Sequence, residues 1–122
     1  MNVLTTYLAA GLTAIWAIVH IVIGGREVEA PLRRDRTQVD VVRVTMILTS
    51  HYVSATLIIL AAMFAIAGLL VNAALLWCAV SISGLFSLIG LVLAPGLGVG
   101  YRTLPQGWLF VPVTLWGLAA LI

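Results

Sequence analysis

The sequence has very little charge. It contains no lysine, and its 122 residues include only six arginines and four acidic residues. A soluble domain carries charge on about a quarter of its residues, so this chain lacks the side chains for a water-exposed surface. Because 63% of the residues are hydrophobic, the expected solvent for most of the chain is the lipid bilayer.

Several kinds of chemistry need residues that the sequence does not have. Cys78 is the only cysteine, which excludes an intrachain disulfide. No basic stripe with interleaved aromatic residues is present, so nucleic acid is not an expected partner. The HExxH, CxxC and Ser-His-Asp arrangements are absent, and the glycines between 96 and 100 lack the Lys-Ser/Thr of a phosphate-binding loop. The sequence therefore predicts a protein that is not an enzyme in its own right.

Apolar runs predict four membrane-spanning helices, at about 3–23, 44–70, 73–94 and 104–122. A helix needs roughly 20 apolar residues to cross about 30 Å of hydrocarbon. Gly24-Gly25 is predicted to end the first helix, and the turn at 71–73 predicts a helical hairpin. Pro112 is predicted to kink the last helix. The predicted fold class is therefore all-α, a polytopic four-helix transmembrane bundle that forms one domain over residues 1–122.

Two polar segments, 24–43 and 95–107, separate the spans and contain all six arginines. The positive-inside rule therefore predicts cytoplasmic loops and outward-facing termini. Thr37 and Asp40 have the spacing of a capping box, so the second helix is expected to begin near Gln38. The first apolar run has no basic n-region and no cleavage site, so it is predicted to be a span rather than a signal peptide.

Two histidines frame the charged part of the chain. His20 and His51 each lie just inside a predicted span, and at 1.5 Å per residue their depths differ by about 5 Å. Ionisable side chains within a span usually face the bundle interior or a cavity. We therefore predict one polar cluster at the cytoplasmic boundary, closed by the second loop. Its members are His20, Arg26, Glu27, Arg43, His51, Tyr101 and Arg102.

Several interpretations of this cluster are open. Two histidines can ligate haem, and histidine, arginine and tyrosine side chains can hydrogen-bond the carbonyls of a quinone. The candidate cofactor-binding residues are His20, Arg26, Arg43, His51, Tyr52, Tyr101 and Arg102. His20, Glu27 and His51 can also hold a metal ion or relay protons. In the simplest interpretation the imidazoles only join helices by bonding backbone carbonyls.

The predicted partner is the lipid bilayer, together with a further helix. Small residues recur on the third helix at Ala79, Ser83, Ser87, Gly90 and Ala94, a pattern that favours close helix packing and predicts a homo-oligomer or a larger membrane complex. The predicted function is a non-catalytic subunit or small-ligand binder. The alternatives are a haem- or quinone-binding anchor of a redox complex and a small transporter component, which would need broken helices or polar groups at mid-membrane.

The run from His20 to Leu32, with a second histidine in the next span, resembles a family of small, functionally uncharacterised bacterial four-span membrane proteins. The residues that carry the resemblance are His20, Gly25, Arg26, Glu27, Pro31, Leu32 and His51. Ser50 stands where the family pattern often has Trp. The resemblance implies four helices and a location in the bacterial inner membrane, and it implies no activity.

Cysteine labelling of intact cells tests this topology. In a Cys78→Ser background, Asn2→Cys should react with an impermeant thiol reagent, because the N-terminus faces outward. Arg34→Cys should react only after the membrane is permeabilised. Reaction of both positions from outside would show that the predicted topology is wrong.

Overall fold

The computed structural model describes residues 1–122, which form a bundle of helices without strands. The first helix, Val3–Arg34, is 32 residues long and consists of α1 (Val3–Val19), a π-helical segment (His20–Glu29) and α2 (Ala30–Arg34). It is followed by α3 (Asp40–Leu70), α4 (Ala73–Gly96) and α5 (Gln106–Leu121). The predicted all-α bundle is confirmed. Three helices, the first helix, α3 and α4, are long and apolar enough to cross a membrane, and α5 is a shorter apolar helix.

The sequence predicts that the paired glycines end the first helix, and the structure shows that they do not. The helix continues through Gly24-Gly25 and Pro31 to Arg34, so residues 35–39 are all that remains non-helical of the predicted loop 24–43. Polar residues next to a span end a membrane crossing, but they do not have to end the helix, because an α-helix satisfies its backbone groups in water as well as in lipid.

The short connection 35–39 is organised by Asp35. Its Oδ1 accepts hydrogen bonds from the Thr37 hydroxyl at 2.6 Å and the Thr37 backbone N–H at 2.8 Å, and these bonds lower the pKa of the Asp35 carboxyl below its ordinary value. The predicted capping box does not form, because α3 begins at Asp40 with Val39 as its N-cap residue and has no side-chain cap. Asp40 pairs instead with Arg43, as their i, i+3 spacing predicts.

The predicted hairpin between α3 and α4 is confirmed. Val71 ends α3 in the left-handed region with φ of 49°. Asn72 then caps α4, and its side-chain oxygen accepts the N–H of Leu75 at 3.0 Å. A two-residue connection places the helices antiparallel.

The bundle core lies where α1 and α4 each pack against α5, and α1 packs against α3. Its largest fully buried side chains are Leu60, Phe64, Leu76 and Val113. The small-residue face of α4 packs against α5 of the same chain: Ser83 accepts a hydrogen bond from Thr114, and the Ser87 hydroxyl donates to the Gly107 carbonyl at 3.0 Å. This face is therefore not free for a further helix, and the small-residue pattern no longer supports the predicted oligomer.

Helix α5 is joined to α1 near both of its ends. The backbone N–H of Asn2 donates to the Ala120 carbonyl at 2.7 Å, and the Trp16 indole N–H donates to the Leu109 carbonyl at 2.9 Å. Pro112 lies inside α5, which continues from Gln106 to Leu121. The sequence predicts the start of this span near Leu104, and the helix begins at Gln106.

The close backbone approach at Gly90 and Gly107 provides a test of the packing of α4 on α5. A Cβ added at Gly90 would lie 2.6 Å from the backbone N and Cα of Gly107. Backbone atoms cannot rotate away, so Gly90→Ala should separate the two helices and lower the free energy of unfolding by about 1–3 kcal/mol. Thermal unfolding in detergent micelles measures this loss.

Gly84→Ala, on the same helix, is the matched control. Its Cβ would make only an ordinary contact, 3.5 Å from the methyl group of Thr114. The control should unfold at or above the wild-type temperature, since alanine favours helix. Equal behaviour of the two variants would contradict this account of the interface.

Candidate functional site

The predicted site surrounds the π-helical segment. In a π-helix each N–H bonds the carbonyl five residues earlier, and such segments are rare and frequent at functional sites. The N–H of Ala30 bonds the Gly25 carbonyl in this way. Pro31 follows directly. It has no N–H, and in a regular α-helix its ring clashes with the carbonyl four residues earlier. A wider turn before Pro31 relieves that clash, and it changes which side chains share a face.

A small cavity of about 420 Å³ lies between the π-helical segment and α3. The first helix contributes one face to its wall: His20, Ile21, Gly25, Glu29, Ala30 and Arg33. From α3 the cavity receives Ser50, His51 and Ser54. Both histidines of the predicted cluster therefore line one cavity.

The acid in the small cavity is Glu29, not the predicted Glu27. Its Oε1 accepts hydrogen bonds from Nε and Nη2 of Arg33 at 2.9 and 2.6 Å, and it lies 3.5 Å from Nε2 of His51. The Glu29 side chain is 15% exposed, whereas those of Arg33 and His51 are more than half exposed. The carboxylate is thus shielded between two groups that stand nearer to the solvent.

His20 joins the small cavity to a second cavity. Its Nε2 lies 3.2 Å from the backbone carbonyl oxygen of Ser50 on α3. The same ring also lines a large cavity of about 750 Å³ between the first helix, α3, α4, the segment before α5 and the start of α5. No other titratable side chain borders both cavities.

The large cavity is lined mostly by apolar side chains and also by a few polar ones. Its apolar wall includes Trp16, Leu57, Phe86, Ile89, Leu109 and Phe110. Its polar side chains are His20, Glu27, Arg102, Thr103 and Gln106. Glu27 and Arg102 form no ion pair with each other or with any other residue. An apolar wall that ends at a few polar groups is typical of small-molecule sites.

The structure therefore places the residues of the predicted cluster at separate sites. His20 and His51 meet at the small cavity, whereas Glu27 and Arg102 lie at the large one. Arg43 lies apart from both, paired with Asp40 and directed at the Arg33 carbonyl, with its Nε buried and unpartnered. The groups predicted as one cluster are therefore distributed over the two cavities and the Asp40–Arg43 pair. Glu27 and Glu29 face different cavities because residues two apart lie on opposite sides of a helix.

The remaining predicted residues lie outside the two cavities. The Tyr101 hydroxyl donates to the Leu91 carbonyl at 2.8 Å, and its ring packs edge-on against Trp108. Tyr52 is 62% exposed, and Arg26 is exposed without an ion-pair partner. The proposed metal ligands His20, Glu27 and His51 are not assembled, and no group of three or more His, Cys, Asp or Glu side chains is placed to hold a metal ion.

Sequence reasoning missed Glu29 and Arg33, although the sequence carried a signal for them. The two residues are four apart, the spacing of an ion pair on a helix face, but they were assigned to a loop. The predicted loop followed from Gly24-Gly25, and in the structure the helix continues through these glycines and through Pro31.

Comparison of the chain with protein-family models, with curated protein sequences and with solved structures finds no match.

A double-mutant cycle tests the contact between Glu29 and Arg33. Glu29→Gln and Arg33→Gln should each lower the unfolding temperature, and the double variant should lose no more than the larger single loss, because both remove the same hydrogen bonds. Glu27→Gln combined with Arg33→Gln is the control. Since Glu27 lines the other cavity, these two effects should add, and coupling of Arg33 to Glu27 instead would contradict the assignment.

Proposed function

We propose that this protein is a non-catalytic, four-span protein of the bacterial inner membrane, with both termini in the periplasm, that binds a small amphipathic molecule in the large cavity. The observation that supports this proposal most directly is that one cavity is lined by many apolar side chains and by a few polar ones: His20, Glu27, Arg102 and Gln106. The bilayer supplies such molecules directly, and a site that opens within a bundle of apolar helices is accessible to them.

The size and lining of the large cavity support a ligand of modest dimensions. About 750 Å³ lies within the 300–1,000 Å³ of ordinary small-molecule sites, which are mostly apolar with a few polar groups that fix orientation. Both Glu27 and Arg102 are free of ion pairs within the chain, so their hydrogen-bonding capacity remains for a head group.

The ligand class that this lining favours is a flat ring with an apolar tail, as in quinones. Trp16, Phe86 and Phe110 border the cavity, and the rings of Phe86 and Phe110 meet edge to face with centroids 5.3 Å apart. Aromatic walls favour flat rings by offset or edge-on packing, and the oxygens of the ring then reach the polar side of the cavity.

The arrangement favours haem less. A bis-histidine haem needs an imidazole on each side of the iron, and His51 does not line the large cavity. In the small cavity Nε2 of His20 faces the Ser50 carbonyl, while Nε2 of His51 faces Glu29. In each imidazole, Nε2 therefore faces a protein group and not a ligand.

Fluorescence of Trp16 tests the proposal. In a Trp77→Phe, Trp108→Phe, Trp116→Phe background, a short-tailed benzoquinone in detergent should quench Trp16 with saturation, because Trp16 borders the cavity. Arg102→Gln should weaken binding by about three- to tenfold, the range of one lost hydrogen bond. Arg26→Gln removes an arginine that borders neither cavity and should leave binding unchanged.

Optical spectra of the purified protein and the concentration dependence of the quenching provide the contrary outcomes. A reducible Soret band that disappears in His20→Ala and in His51→Ala would replace the proposal by a haem site. Quenching that rises linearly with quinone concentration, equally in all variants, would mean collision in the micelle and no site.

A further inference from the structure

His20 presents different ring edges to the two cavities. Nε2 lies 3.2 Å from the Ser50 carbonyl oxygen. The Nδ1–Cε1 edge lies beside Gly24, where an added Cβ would stand 3.7 Å from Nδ1 and 3.9 Å from Cε1. Gly24 lines the large cavity and Gly25 the small one, so the Nδ1 edge of the ring belongs to the large cavity.

The partner of Nε2 fixes where the proton of the neutral ring resides. A backbone carbonyl oxygen has no hydrogen to donate, so a hydrogen bond between it and Nε2 requires an N–H on Nε2. In the neutral imidazole only one nitrogen carries hydrogen, and the other is an acceptor. The Ser50 carbonyl therefore leaves Nδ1 of His20 with a lone pair.

This lone pair is free and accessible. No protein group hydrogen-bonds Nδ1, since the Ser50 carbonyl is the one partner of the His20 side chain. Nδ1 is also not buried. Among the buried side-chain nitrogens and oxygens only Nε of Arg43 lacks a hydrogen-bond partner, so Nδ1 of His20, which lacks one too, must be accessible. Gly24 has no side chain to cover the ring edge.

We infer that His20 selects ligands that carry a hydroxyl group, a phenol or a quinol, over ligands that present only carbonyl or ether oxygens there. A hydroxyl donates to the Nδ1 lone pair, whereas two acceptors facing each other gain no hydrogen bond and lose their solvation. The inference rests on the proposed function, because it concerns the ligand of the large cavity, and it narrows the quinone class to its reduced form.

A matched pair of probes isolates the hydroxyl group. A 4-alkylphenol and its methyl ether have the same ring and tail, and calorimetric titration of the detergent-solubilised protein compares their affinities after correction for micelle partitioning. The phenol should bind about five- to tenfold more tightly, the value of one neutral hydrogen bond.

Neighbouring glycines supply the variant and its control. In Gly24→Ala the added methyl group lies against Nδ1 and occupies the approach of a hydroxyl, so the preference for the phenol should disappear. Gly25→Ala adds a methyl group with no atom within 4 Å and should keep the preference. Nitrogen-15 spectra of labelled histidine should show His20 in the Nε2–H form in both variants, which confirms that the ring itself has not moved.

The outcomes separate the two proposals. Equal affinity of the phenol and the ether in the wild type, with saturable binding of both, would overturn the inference about His20 and leave the cavity proposal standing. Saturable binding of neither compound, together with no saturable quenching by quinone, would overturn the proposed function and with it the inference. A His20 spectrum of the Nδ1–H form would overturn the inference by itself.

Discussion

The constraint on which this structure depends is that hydrocarbon offers no hydrogen-bond partners to a backbone. Every N–H and C=O within the membrane must be satisfied by the chain itself, and helices do so within one segment. The polar side chains of the bundle follow the same rule. Thr13 bonds the Ala9 carbonyl at 2.7 Å, and Ser83, Ser87 and Thr114 bond one another or carbonyls of α4 and α5. Polar groups left for a ligand are therefore confined to one end of the bundle.

At that end the first helix presents different groups to the two cavities. His20 shares the large cavity with Gly24 and Glu27, and it shares the small cavity with Gly25 and Glu29. Glu29 is shielded and paired with Arg33, whereas Glu27 has no ion-pair partner. The helix thus carries a shielded ion pair on one side and an unpaired carboxylate on the other, with His20 bordering both cavities.

The architecture was predictable from the sequence because it follows from composition. Apolar runs of sufficient length, a turn at 71–73 and charge confined to two segments predict helices and their order without knowledge of any contact. The shared position of His20 and His51 also followed from helix geometry. The roles of Glu27 and Glu29 did not, because they depend on the helix continuing past Gly24-Gly25 to Arg34, whereas paired glycines favour a helix end. The packing partner of Ser83 and Ser87 was likewise hidden, since small residues mark close approach without naming the helix that approaches.

The attachment of α5 to α1 has a consequence for how forces on the shortest of the apolar helices are distributed. Sixteen residues extend about 24 Å, less than the roughly 30 Å of typical hydrocarbon. Asn2 and Trp16 hold α5 near both of its ends. A displacement of α5 therefore strains its bonds to the first helix, which carries His20 and lines both cavities.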